Sequence, residues 1–154
     1  MKRLLLLLAF IPINLFCHPM PNNHFKVAYS YYKIEMLYCP FSESKLKECL
    51  KMYVYEPEIT FAQSKLETGN YTSNIFEENN NLFGMKHPKQ RPTLSIGINR
   101  GSAVYEKWQD SVLDLRLWQE YYIKKGYDIS DYDTLLKRFN SNKNYRRIVN
   151  QLIK

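Results

Sequence analysis

The sequence predicts a mainly α-helical α+β domain with one small β hairpin. Three observations carry this. After residue 22, apolar side chains recur at helical spacing through most of the chain. Ser, Asp, Pro and Gly stand where such stretches begin and end. A single β-branched run, Thr93 to Ile98, interrupts the helical pattern near the middle. At 154 residues and 45% hydrophobic composition the chain is one domain, long enough to bury a core. Only 5 Gly and 7 Pro argue against a long disordered tail.

The elements follow in order. Phe25, Ala28, Tyr32 and Met36 give Asn22 to Tyr38 a helical spacing, which Pro40 breaks. Ser42 or Ser44 caps a second helix, Glu43 to Tyr55, with Leu46, Leu50 and Tyr53 or Val54 on one side. Pro57 suits the first turn of a third helix, whose buried stripe is Ile59, Ala62 and Leu66. Gln63 and Glu67 share an adjacent face of it. Gly69 is placed to end that helix with a left-handed residue. Thr72 or Ser73 caps a short helical turn through Glu77 or Glu78. Asn79, Asn80 and Asn81 then form an ordered polar loop closing at Gly84, because Asn bonds its own backbone and tolerates unusual angles. Thr93 to Ile98 and Ala103 to Tyr105 pair across the turn Asn99-Arg100-Gly101-Ser102. Trp108 to Lys124 is a long helix with Trp108, Val112, Leu115, Trp118 or Gln119, and Tyr122 inward, and Gly126 stops it. Asp131 or Asp133 caps a helix carrying Leu135, Leu136 and Phe139. After a turn at Asn140 to Asn142, a last helix carries Tyr145, Ile148, Val149 and Ile153.

The N-terminus has the form of an export signal over residues 1–20. Lys2 and Arg3 precede the unbroken apolar run Leu4 to Phe10, and Pro19 and Pro21 end the stretch. It is too short and too interrupted for a spanning helix. The folded domain is expected over 22–154, exported to the periplasm or cell envelope, or secreted. Membrane contact is expected only through the signal segment. Without Lys2 and Arg3 the net charge falls from +7 to +5, a modest positive surface that attracts polyanions. For an exported chain that polyanion is the cell wall. The charge is dispersed and no nucleic-acid motif is present, so nucleic acid is not an expected partner. Cys39 and Cys49 either pair across the loop they bracket or leave Cys49 as a buried thiol.

Ala62-Gln63, Leu66-Glu67-Thr68-Gly69, Ser73 and Asn81-Leu82-Phe83-Gly84-Met85-Lys86 resemble the glucosaminidase domain of bacterial peptidoglycan hydrolases, the family 73 glycoside hydrolases. Later echoes are Tyr105 with Ser111 and Asp114, and the segment Asn140 to Ile148 with Tyr145 as its tyrosine. The resemblance runs from Leu46 to the C-terminus. It implies a lysozyme-like fold with the hairpin beside a substrate groove. It also implies hydrolysis of the β-1,4 bond after N-acetylglucosamine in peptidoglycan glycan strands; the chain is expected to act as a monomer. Neither a metal nor an organic cofactor is implied. Glu67 takes the position of the family's general acid.

Cleaving a glycoside requires a proton on a poor leaving oxygen while an oxocarbenium-like centre forms. Glu67 must therefore hold its proton above the ordinary carboxyl value of about 4.3, and burial against Leu66, Phe83 or Tyr105 would achieve this. The second catalytic group is less evident. No Asp or Glu lies between His87 and Val104, and Glu77, Glu78, Glu106 and Asp110 flank that gap. Glu78 is the candidate base. Without a base, the N-acetyl group of the substrate would attack, oriented by Tyr145 or Tyr105. Gln63, Asn81, Phe83 and Lys86 are the candidate substrate-binding residues, with Lys86 facing a peptide-stem or lactyl carboxylate. Two rival readings are a muramidase or lytic transglycosylase, and a catalytically silent wall-binding or scaffolding protein. The missing hairpin acid favours the second.

Overall fold

The computed structural model describes residues 39–128 and 131–153. The export signal and the first helical stretch, Asn22 to Tyr38, lie outside the described residues. Six helices and one two-stranded antiparallel hairpin make up the described part. None of these helices is long and apolar enough to cross a membrane.

Helix α1 spans Glu43–Tyr53, and the Ser42 hydroxyl caps it by accepting from the Lys45 N–H. It buries Leu46, Cys49 and Leu50. The helix stops short of Tyr55 because Val54 is extended. That frees the Tyr55 N–H to donate to Gln119 Oε1 at 3.0 Å.

Helix α2, Pro57–Thr68, opens on Pro57 and ends at Gly69, whose φ of 55° closes the helix. Its buried side differs from the expected apolar stripe. Thr60, Ala62, Gln63, Ser64 and Thr68 are the buried residues, while Ile59 and Leu66 are only half-buried against the core. Polar groups survive there because each is bonded. Thr60 Oγ1 donates to the Tyr55 carbonyl, Ser64 Oγ to Phe61 and Thr68 Oγ1 to Ser64.

Ser73 caps the short helix α3, Asn74–Asn79. The hairpin pairs β1, Gly97–Asn99, with β2, Ser102–Val104, in the register Gly97 to Val104 and Asn99 to Ser102. It is shorter than the β-branched run suggested. The Leu94 N–H is used by Asp114 and the Ser95 N–H by Thr93 Oγ1, so neither joins the ladder.

Helix α4, Trp108–Ile123, is the longest of the described helices, and its Val112, Leu113, Leu115 and Gln119 are fully enclosed. Trp118 and Tyr122 are half-buried. Asp131 caps α5, Tyr132–Phe139, and Asn142 caps α6, Lys143–Leu152. Ile153, expected on the last helix, falls just beyond α6 and is exposed.

Ala62, Tyr132, Leu135, Leu136, Tyr145 and Val149 form one core cluster. It seats α2 against α6, while α1 packs on both α2 and α4. The last turn of α2, which carries Glu67, is therefore held from several sides.

Candidate active site

The last turn of α2 brings Glu67 to a cleft of about 600 Å³. The rest of the lining comes from Phe83 to Lys86, Pro88 to Arg91, the α4 residues Trp118, Tyr121 and Tyr122, and Phe139 with Asn140. Burial pushes the Glu67 carboxyl above its ordinary value, and a hydrogen bond from the Tyr145 hydroxyl opposes the shift. Glu67 is the only carboxylate lining the cleft among the described residues.

The loop after α3 reaches Glu67 through Gly84. Its φ is +60°, and a Cβ there would stand 2.9 Å from Glu67 Oε2. The left-handed backbone favours glycine, and a side chain there would push the Glu67 carboxyl aside. Gly84→Ala is expected to destabilise the fold by about 1–2 kcal/mol through the left-handed backbone. It should also lower kcat roughly 100-fold by displacing the carboxyl group. Reducing-end release measured beside a urea midpoint checks both, and a kcat equal to the parent's would contradict the placement.

Asn81 builds that loop. Its Nδ2 donates to the Met85 and Ala103 carbonyls, and its Oδ1 accepts from the Phe83 and Met85 N–H groups. All four hydrogen-bonding capacities are spent inside the protein. Asn81 thus shapes the loop, which corrects its assignment to substrate binding. Gln63 is corrected likewise: it is buried and bonded to Tyr145 and Tyr132 at its two ends. Phe83 and Lys86 do line the cleft, and Lys86 Nζ donates to Ser102 Oγ at 3.2 Å.

Glu78 sits elsewhere. Its carboxylate takes Arg100 Nε at 2.7 Å and Arg100 Nη2 at 2.9 Å at the hairpin turn, and it is not among the cleft-lining residues. Hydrogen bonding from Arg100 holds its carboxyl below the ordinary range. Its place is that of a strut between α3 and the hairpin, which corrects its assignment as the base. Tyr105 is also corrected. It is buried away from the cleft and donates to Asp114 Oδ2 at 2.9 Å. The Tyr145 hydroxyl is hydrogen-bonded to Glu67 and accepts from Gln63 Nε2 at 3.3 Å.

Sequence patterning did not reveal the aromatic wall. Trp118 and Tyr122 lie 4.9 Å apart, and Trp118 meets Phe139 edge-on at 5.3 Å. Tyr121 completes the wall from the next position on α4. Such half-buried rings suit the apolar faces of a sugar chain. The signal was the aromatic run Trp118, Tyr121, Tyr122, which has the same spacing whether it faces core or cleft. Lys89 joins Lys86 in giving the cleft lining a positive character. Among the described residues no cluster of three or more His, Cys, Asp or Glu side chains forms a metal-ligand set.

A mainly helical domain with a hairpin and a desolvated glutamate at a sugar-sized cleft is the architecture of a lysozyme-like glycoside hydrolase. Residues 43–154 match the Glucosaminidase family, described as mannosyl-glycoprotein endo-beta-N-acetylglucosaminidase, and the chain belongs to that family. Comparison with curated proteins and with solved structures gives no match.

Proposed function

We propose that this chain cleaves the β-1,4 bond after N-acetylglucosamine in peptidoglycan, with Glu67 as the general acid. The observation that carries this reading is a desolvated carboxyl group, the one carboxylate among the described residues lining the cleft, in a cleft that aromatic side chains and two lysines also line. Glu67 gives its proton to the glycosidic oxygen as the bond to the anomeric carbon breaks. With no second carboxylate lining the cleft among the described residues, the acetamido oxygen of the substrate is the group that attacks that carbon. Water then opens the cyclic intermediate and returns a proton to Glu67. Lys86 and Lys89 suit the anionic lactyl and peptide carboxylates of such a strand. Export by the signal over residues 1–20 would bring the domain to the cell envelope as a monomer.

Purified sacculi, digested, reduced with borohydride and analysed by mass spectrometry, test the bond specificity. Fragments ending in reduced N-acetylglucosamine are expected. Ends in reduced N-acetylmuramic acid would make it a muramidase, and anhydro ends a lytic transglycosylase. The absence of a second acid at the cleft among the described residues favours one further reading, a silent wall-binding protein. Binding to sacculi without any released fragment would establish that reading instead.

A further inference from the structure

Gln119 is fully enclosed in the middle of the domain, and its amide is clamped to one residue's backbone. The Tyr55 N–H donates to Gln119 Oε1 at 3.0 Å, and Gln119 Nε2 donates to the Tyr55 carbonyl at 3.1 Å. This pairing dictates which end of the amide is oxygen. The second Nε2 hydrogen goes to the Tyr132 hydroxyl at 3.0 Å. Tyr132 in turn donates to Gln63 Oε1 at 3.2 Å, a shorter contact than its 3.4 Å approach to Thr60 Oγ1. With its oxygen so engaged, Gln63 presents Nε2 to the Tyr145 hydroxyl at 3.3 Å. Tyr145 then has one proton left to give, and its remaining partner is Glu67.

Apart from the Gln119 Nε2 donation back to the Tyr55 carbonyl, the donors in this chain point one way, from the Tyr55 backbone toward the cleft. Filling the core does not require that direction. Apolar side chains would fill the same space without any polar group to satisfy.

We propose that Gln119 and Tyr132 are positioning residues that order this chain, so that Tyr145 donates to one Glu67 oxygen and the acid proton stays on the other, available to the sugar. The proposal rests on the reading of Glu67 as the general acid. Aligned hydrogen bonds polarise one another, which strengthens the final donation and favours the carboxylate. The chain thereby offsets part of the desolvation, and Glu67 stays able to act as acid and then as base. The other titratable groups around Glu67 are Lys86, Lys89 and Arg91 from the loop and Tyr121 and Tyr122 from α4.

Tyr132→Phe keeps the ring and removes the link. Weaker donation from Tyr145 leaves the Glu67 carboxylate less stabilised, so its pKa rises. The basic limb of kcat/KM, which reports the acid in the free enzyme, should move up by roughly 0.3–0.7 pH units. A carbon-detected titration of the Glu67 carboxyl should move by the same amount. Ile59→Val, a packing change on α2, should lower the thermal midpoint and leave both unmoved. If Tyr132→Phe does not fold, Gln63→Met breaks the adjacent link and is read the same way. A folded variant with an unshifted limb and an unshifted Glu67 titration overturns the proposal. Glu67→Gln in the same assay separates the two ideas. Full activity there overturns the general-acid reading, while the Glu67 titration in the parent and in Tyr132→Phe still reports on the ordered chain.

Discussion

Glu67→Gln is expected to lower glycosidic cleavage by about 10²–10⁴-fold while binding to sacculi persists. Glutamine matches glutamate in shape and can still accept from the Tyr145 hydroxyl, so the cleft keeps its form. It has no proton to give to a leaving oxygen. The same change should raise stability at neutral pH. Burial lifts the folded-state pKa of Glu67 above its unfolded value of about 4.3. Below that unfolded value both states are protonated and the buried carboxyl carries no penalty. As pH rises toward the folded pKa, the unfolded chain ionises first and the fold loses stability. Glutamine never ionises, so its advantage grows across that window and stays above it. Thermal midpoints of both proteins at acid and neutral pH check this. Lysis at the parent's rate would contradict the catalytic role, and a Glu67→Gln protein less stable at neutral pH would contradict the desolvation.

Asp114→Ala is expected to destabilise the domain by about 3–5 kcal/mol, the largest single effect on the fold. Asp114 is 0% exposed and its Arg91 partner 5% exposed. Arg91 donates Nη1 to Oδ1 at 3.0 Å and Nη2 to Oδ2 at 2.8 Å. The Leu94 N–H and the Tyr105 hydroxyl complete the set at 3.0 and 2.9 Å. Alanine would leave a buried guanidinium with no counter-charge, and two further donors would lose their acceptor. Because Arg91 also lines the cleft, the loop before the hairpin should loosen and activity should fall with stability. Urea unfolding measures the loss. The double change Arg91→Met with Asp114→Leu should recover most of it, since a well-packed apolar pair replaces a buried ion pair with little penalty. A single-variant loss under about 1 kcal/mol would contradict the assignment.

The parts of this site that were legible in the sequence depend on neighbours close in the chain. Glu67 before Gly69 marks a helix end, and Asn81 to Gly84 marks a tight polar loop. Both follow from local backbone chemistry, and the structure brings Gly84 against the Glu67 carboxyl. The echo of Tyr105, Ser111 and Asp114 also has a physical basis. Tyr105 bonds Asp114, and Ser111 Oγ accepts from the Leu82 N–H at 3.0 Å. These residues hold the loop that faces the acid. Glu78 was misplaced because nearness to the hairpin in sequence does not reveal that Arg100 takes its carboxylate. The polar buried face of α2 was illegible for a similar reason. Thr60, Gln63 and Ser64 find partners on their own helix and on distant elements, and a hydropathy pattern counts them as surface. Trp118 and Tyr122 fit the helical period equally well as core or as cleft wall, and they belong partly to both.

The central claim is that one carboxyl group keeps its proton beside a sugar-sized cleft, and a carbon-detected NMR titration of Glu67 in the folded protein tests it most directly. The account predicts a midpoint above the ordinary carboxyl value of about 4.3. A midpoint at or below that value would contradict it.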